Sequence, residues 1–163
     1  MSLAYFDTSV LVKNYVQEAG SPRARALLRT YSFLSSALTP VELMSALMRK
    51  RSTGELNLQD LPRILARIQE DRPYWKLLDI GTAVLSQGEQ LVQKTRMRTL
   101  DAIHLASLAV FRSASGSVGV SALITADGRQ RDAATNLGPG CCLGWLERGR
   151  RFVYFPLLPF SLV

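Results

Sequence analysis

An alternation along the chain restricts its possible folds more than any other feature. Brief apolar runs are each followed by stretches whose apolar residues recur at helical spacing. Leu3 to Phe6 is such a run and stops at Asp7. From Ser9 the pattern turns helical, with Val10, Leu11, Tyr15 and Val16 on one face. Gly20-Ser21-Pro22 breaks it and opens a second helix through Ala26, Leu27 and Leu28. Tyr31 to Leu38 reads as a second strand, and Thr39-Pro40 starts a helix that Gly54 closes. Further on come a helix over Leu58 to Asp71, a strand over Lys76 to Ile80 and a helix from Thr82 to Lys94. Leu100 to Phe111 reads as a more buried helix, Val120 to Thr125 as a strand and Gly128 to Leu137 as a helix. Strands that alternate with helices imply a parallel sheet covered on both faces, because parallel strands need crossover connections.

At 163 residues, with 47% apolar and 20% charged, the chain has the makeup of one folded α/β domain spanning 1–163. No internal repeat or interdomain linker interrupts it. No basic leader precedes Asp7, and the charge-free stretch Phe152 to Val163 is shorter than the about 20 residues a bilayer needs. Cys141 and Cys142 are adjacent, which suits neither normal disulfide geometry nor a CxxC zinc site. A soluble cytoplasmic protein with no membrane partner is the expectation. The net charge of +7 is clustered at Arg23, Arg25 and Arg29, at Arg49-Lys50-Arg51, at Lys94, Arg96 and Arg98, at Arg129 and Arg131, and at Arg148, Arg150 and Arg151. Such a field attracts polyanions, nucleic acid above all, although solvated surface charge explains it as well.

In open α/β sheets, ligands bind beyond the carboxyl ends of the strands. Asp7 ends the first strand, Glu42 lies in the first turn after the second, and Asp127 follows Val120–Thr125. Asp101 opens the helix that begins at Leu100. Each acid has a purely structural explanation. Thr39-Pro40-Val41-Glu42 fits a capping box, Asp7 and Asp127 fit N-caps, and Asp101 complements a helix dipole. Taken together, four converging carboxylates repel one another unless a cation is present. Mg²⁺ and Mn²⁺ take such oxygen ligands, and the chemistry that uses the cluster is phosphodiester hydrolysis. Ser9 and Thr125 are nearby hydroxyls that either bond to carboxylate or phosphate or simply form turns.

Four segments carry a resemblance. They are Tyr5-Phe6-Asp7-Thr8-Ser9-Val10-Leu11-Val12, Thr39-Pro40-Val41-Glu42-Leu43-Met44-Ser45-Ala46-Leu47, Leu100-Asp101-Ala102-Ile103-His104-Leu105-Ala106 and Leu123-Ile124-Thr125-Ala126-Asp127. In order and spacing the chain resembles, over residues 3–138, PIN-domain ribonucleases of the VapC toxin type. The resemblance implies a three-layer α/β/α sandwich with a central, mainly parallel sheet. It also implies Mg²⁺- or Mn²⁺-dependent RNA cleavage, a homodimer and inhibition by a cognate antitoxin. Carried over, Asp7, Glu42, Asp101 and Asp127 become the catalytic and metal-binding acids, with Ser9 and Thr125 supporting. Asp132 is kept out of the core site, and a buried, hydrogen-bonded packing role is expected of His104. Arg49, Lys50, Arg51, Arg96, Arg98 and Arg129 are candidates for holding RNA.

Residues 139–163 depart from the pattern. Where the family has a short last strand and then stops, Gly138-Pro139-Gly140-Cys141-Cys142 leads into a basic stretch and an apolar tail, expected to pack against a partner or a second copy. A non-catalytic nucleic-acid-binding or scaffold module is the alternative. A receiver domain is set aside, since Asp7 is followed by Thr8-Ser9 and no lysine occurs after Lys94. A dinucleotide-binding fold lacks its GxGxxG after the first strand.

Overall fold

A computed structural model describes residues 1–115, 120, 122–128, 130 and 143–145. Arg129, Arg131, Asp132, most of the helix expected after Gly128 and the tail 146–163 lie outside the described residues. Five strands form one sheet in the order β3-β2-β1-β4-β5. They are β1 (Leu3–Phe6), β2 (Ser32–Ser36), β3 (Lys76–Leu78), β4 (Ala122–Thr125) and β5 (Leu143–Trp145), and every neighbouring pair is parallel. β5 is the strand that the departure from the family pattern had put in question. It pairs with β4 from Leu123↔Leu143 to Thr125↔Trp145.

Among the described residues the α-helices are α1 (Thr8–Tyr15), α2 (Ser21–Thr30), α3 (Thr39–Ser52), α4 (Leu61–Asp71), α5 (Thr82–Thr95) and α6 (Thr99–Ser115), and Gly128 and Gln130 are also helical. Pro occupies the first turn of α2, α3 and α4, where its missing N–H costs no intrahelical bond. Gly54, at φ +76, takes the left-handed conformation that ends α3. α4 starts later than the apolar spacing suggests. The Asn57 side chain accepts from the Gln59 amide and its carbonyl from Asp60, and this turn occupies the residues before Leu61.

Alternation along the strands builds the layers. Ala4, Phe6, Phe33 and Ile124 face one way, where they join Val10, Leu11, Leu43, Leu47, Ile64 and Ile68 from α1, α3 and α4. Tyr5, Leu34 and Leu123 face the other way, against Val84 and Leu91 of α5 and Ala102, Leu105 and Leu108 of α6. This is the expected three-layer α/β/α sandwich, and its sheet is parallel throughout the described residues. No helix among them is long and apolar enough to cross a membrane.

α5 and α6 approach closely at Gly88, where an added Cβ would stand 3.2 Å from Ile103 Cδ1. That methyl is the end of a flexible side chain, so Gly88→Ala is tolerated. The branched Gly88→Val is expected to cost about 1–3 kcal/mol of overpacking, read as a lower urea midpoint.

A charged chain fastens the α1–α2 loop to α3. Glu18 accepts from Lys13 at 2.7 Å and from Lys50 at 2.9 Å, and Lys50 also reaches Glu55 at 2.9 Å. Partial burial disfavours the charged Glu18 carboxylate, but the two lysines outweigh it and hold its pKa below the usual value. A depressed carboxylate pKa stabilises the fold above the ordinary value, and that gain disappears as pH falls through the depressed one. The urea midpoint of Glu18→Gln should therefore lie below wild type at pH 7 and converge with it in acid.

Candidate functional site

The order β3-β2-β1-β4-β5 means that the chain winds outward from β1 in one direction and then returns to its other side. The crevice at the carboxyl ends of β1 and β4 is the point where that direction reverses, the usual position for a ligand in such sheets. Asp7 leaves β1 there, its amide donating to the Ile124 carbonyl at 2.9 Å. Asp127 follows β4 on the adjacent strand. Glu42 sits in the first turn of α3 after β2, and Asp101 in the first turn of α6.

Asp7 is buried and is the N-cap of α1, its Oδ2 accepting from the Ser9 amide at 3.0 Å. The Ser9 hydroxyl donates to the same oxygen, and the Thr125 hydroxyl reaches it at 3.4 Å. Ser9 Oγ in turn accepts from the Ala126 amide at 3.0 Å, and Thr125 Oγ1 from the Asp127 amide at 3.0 Å. The supporting hydroxyls thus join β1 to β4, and Asp7 to the backbone amide of Asp127. Each of these bonds to Asp7 uses Oδ2, and none uses Oδ1.

Glu42 is not in a capping box. The Thr39 hydroxyl is paired with Ser35 Oγ at 2.6 Å, so a tertiary partner has replaced the local one. The Glu42 Oε2 atom accepts from the Thr8 hydroxyl at 2.6 Å and from His104 Nε2 at 2.6 Å. Burial opposes ionisation of Glu42, but the bond from His104 and its charge hold the carboxyl below the ordinary range. Burial likewise disfavours protonated His104, yet the bond to Glu42 and the charges of Asp7, Glu42 and Asp101 raise its pKa overall. Of these acids Glu42 is bonded to the imidazole, and Asp7 and Asp101 act on it through space. His104 has the expected buried, hydrogen-bonded character, with its Nδ1 2.9 Å from the Tyr5 hydroxyl. The sequence reading missed that its other partner is a site carboxylate. Tyr5 and Thr8, which also touch this network, gave no sequence signal beyond their position beside Asp7.

Among the described residues no three His, Cys, Asp or Glu side chains form a group that could hold a metal ion. The donor chemistry is nonetheless that of a hard divalent cation: carboxylate and hydroxyl oxygens, no thiolate, and an imidazole whose two nitrogens already have protein partners. The basic candidates separate. Arg51, Arg96 and Arg98 are exposed, and Arg96 and Arg98 link α5 to the turn of α6 that bears Asp101. Arg49 bonds Ser45 Oγ at 2.9 Å and its charge acts on Glu42, while Lys50 is engaged by Glu18 and Glu55.

A family model described as PIN domain matches residues 4–136. Among solved structures, the fold is similar to a chain of a toxin-antitoxin complex from Klebsiella pneumoniae. The TM-score is 0.55 at 19% identity, covering 76% of this chain and 86% of that one. No curated protein matches.

Ser9→Ala removes one donor to Asp7 and leaves the Ala126 amide without its acceptor. A loss of about 1–2 kcal/mol in stability is expected from the unpaired amide, measured by urea unfolding, with Ser9→Thr recovering most of it.

Proposed function

The chain belongs to the PIN domain family, and on that premise we propose that it is a Mg²⁺- or Mn²⁺-dependent endoribonuclease. The observation that carries the reading is the assembly of Asp7, Thr125 and the Asp127 amide at the winding reversal of the sheet, with Glu42 tied to the same place through Thr8. Asp7, Glu42, Asp101 and Asp127 would hold the cation. When bound, it lowers the pKa of a water and offsets charge on the scissile phosphate. Ser9 and Thr125 fix the Asp7 carboxylate through one oxygen. The exposed Arg96, Arg98 and Arg51 bind the RNA backbone, with Arg49 and Arg129 as further candidates, while bases are selected in single-stranded or looped regions.

The resemblance to VapC-type toxins and the likeness to a chain from a toxin-antitoxin complex support a toxin role in the cytoplasm. On that reading the chain is a single PIN-like domain that forms a homodimer and is inhibited by a cognate antitoxin. A non-catalytic nucleic-acid-binding or scaffold module is the second reading. It is favoured by the lack, among the described residues, of three metal ligands in one group.

Pooled structured RNA incubated with the purified protein should be cut with Mg²⁺ or Mn²⁺ and left intact with EDTA. Asp7→Asn should lower the rate by more than about 100-fold, beyond the usual effect of losing an outer-shell partner. RNA binding that is unaffected by EDTA, with no cleavage under any condition, would establish the second reading instead.

A further inference from the structure

We propose that His104 is a positioning residue that fixes the Glu42 carboxylate for cation binding and ties it to the strand carrying Asp7. The proposal rests on the metal-dependent reading above and assigns His104 a part in it that goes beyond packing. A glutamate side chain has several rotatable bonds, and ordering it has an entropic cost that a bound cation would otherwise have to meet. Here the ordering is done in advance. Both donors to Glu42, Thr8 Oγ1 and His104 Nε2, converge on Oε2 at 2.6 Å, and neither engages Oε1. Among the described residues the donors to Asp7 likewise converge on one oxygen, Oδ2.

The imidazole is itself fixed from behind. His104 is 1% exposed and Tyr5 0%. The two rings stand edge to face, 5.9 Å apart at 82°, with the Tyr5 hydroxyl on Nδ1 at 2.9 Å. An ionised carboxylate only accepts hydrogen bonds, so Nε2 carries the proton that Glu42 receives. In the neutral ring, Tyr5 donates to Nδ1. In the charged ring, Nδ1–H donates to the Tyr5 oxygen. The bond to Glu42 survives in both states, and the positioning does not depend on the charge of the ring. Tyr5 lies on β1 two residues before Asp7. The path from Asp7 along β1 to Tyr5, His104 and Glu42 therefore sets the spacing of two carboxylates that are distant in sequence. With both nitrogens occupied inside the protein, His104 acts through Glu42 and not on substrate.

Mn²⁺ titrated calorimetrically into the purified full chain tests this. His104→Leu should weaken Mn²⁺ binding about tenfold, as loss of an outer-shell partner does. His104→Gln, whose amide nitrogen replaces the Nε2 donor, should stay within about threefold of wild type. A role confined to packing would lower the melting temperature in EDTA and leave Mn²⁺ affinity unchanged. His104→Leu that is folded by circular dichroism and binds Mn²⁺ like wild type overturns the proposal while leaving the nuclease reading intact. If His104→Leu does not fold, Tyr5→Phe removes the anchor on Nδ1 and should weaken binding about threefold. Unchanged affinity in that variant overturns the proposal equally. Wild-type protein that binds no Mn²⁺ overturns the metal-dependent reading, and this role with it.

Discussion

A buried carboxylate at the end of a central strand is the constraint on which the surrounding structure depends. Asp7 is 7% exposed, and a charge so placed is costly unless donors surround it. Its donors come from two elements. The Ser9 amide and hydroxyl belong to the first turn of α1, and the Thr125 hydroxyl to the end of β4. α1 must therefore begin where β1 stops, and β4 must lie beside β1 in register, Phe6 opposite Ile124. The position of the helix start and the order of the central strands are two consequences of satisfying one side chain. The same bonds hold Asp127 at the carboxyl end of β4, because its amide donates to the Thr125 hydroxyl that also reaches Asp7.

How much of this could be read from the residues depends on how local each interaction is. β1 and the position of Asp7 were legible because a parallel strand buried on both faces reads as an uninterrupted apolar run, and because N-capping is settled within a few residues. The three layers followed from the alternation of strand and helix. Glu42 was legible as a position and not as a contact. The local pattern offered a capping box, and only the fold reveals that Ser35 takes the Thr39 hydroxyl and that Glu42 turns to Thr8 and His104. His104 meets Glu42 across 62 residues and Tyr5 across 99, separations at which no spacing rule operates. Lys50 looked like part of a basic run that could hold RNA, yet two glutamates occupy it. β5 has three residues in a context of Gly, Cys and Arg, too short to show any period.

The electrostatics of this sheet edge can be weighed. Asp7 caps α1, Glu42 lies in the first turn of α3 and Asp101 in the first turn of α6. Three helix N-termini thus carry three acids, and each dipole contributes about 0.3–1 kcal/mol to a nearby negative charge. Taken one at a time, that suffices to account for every one of these acids as a structural residue. Taken together it does not. Like charges at one sheet edge repel one another, and the repulsion grows with the number of pairs while the dipole terms grow only with the number of helices. The imidazole of His104, on which the charges of all three acids act, offsets part of the difference. It does so for Glu42 first, through the 2.6 Å bond, and for Asp7 and Asp101 only through space. Charge that the imidazole and the helix dipoles leave uncompensated is what a bound cation would meet on the proposed reading, and a purely structural account of the acids supplies no other partner for it.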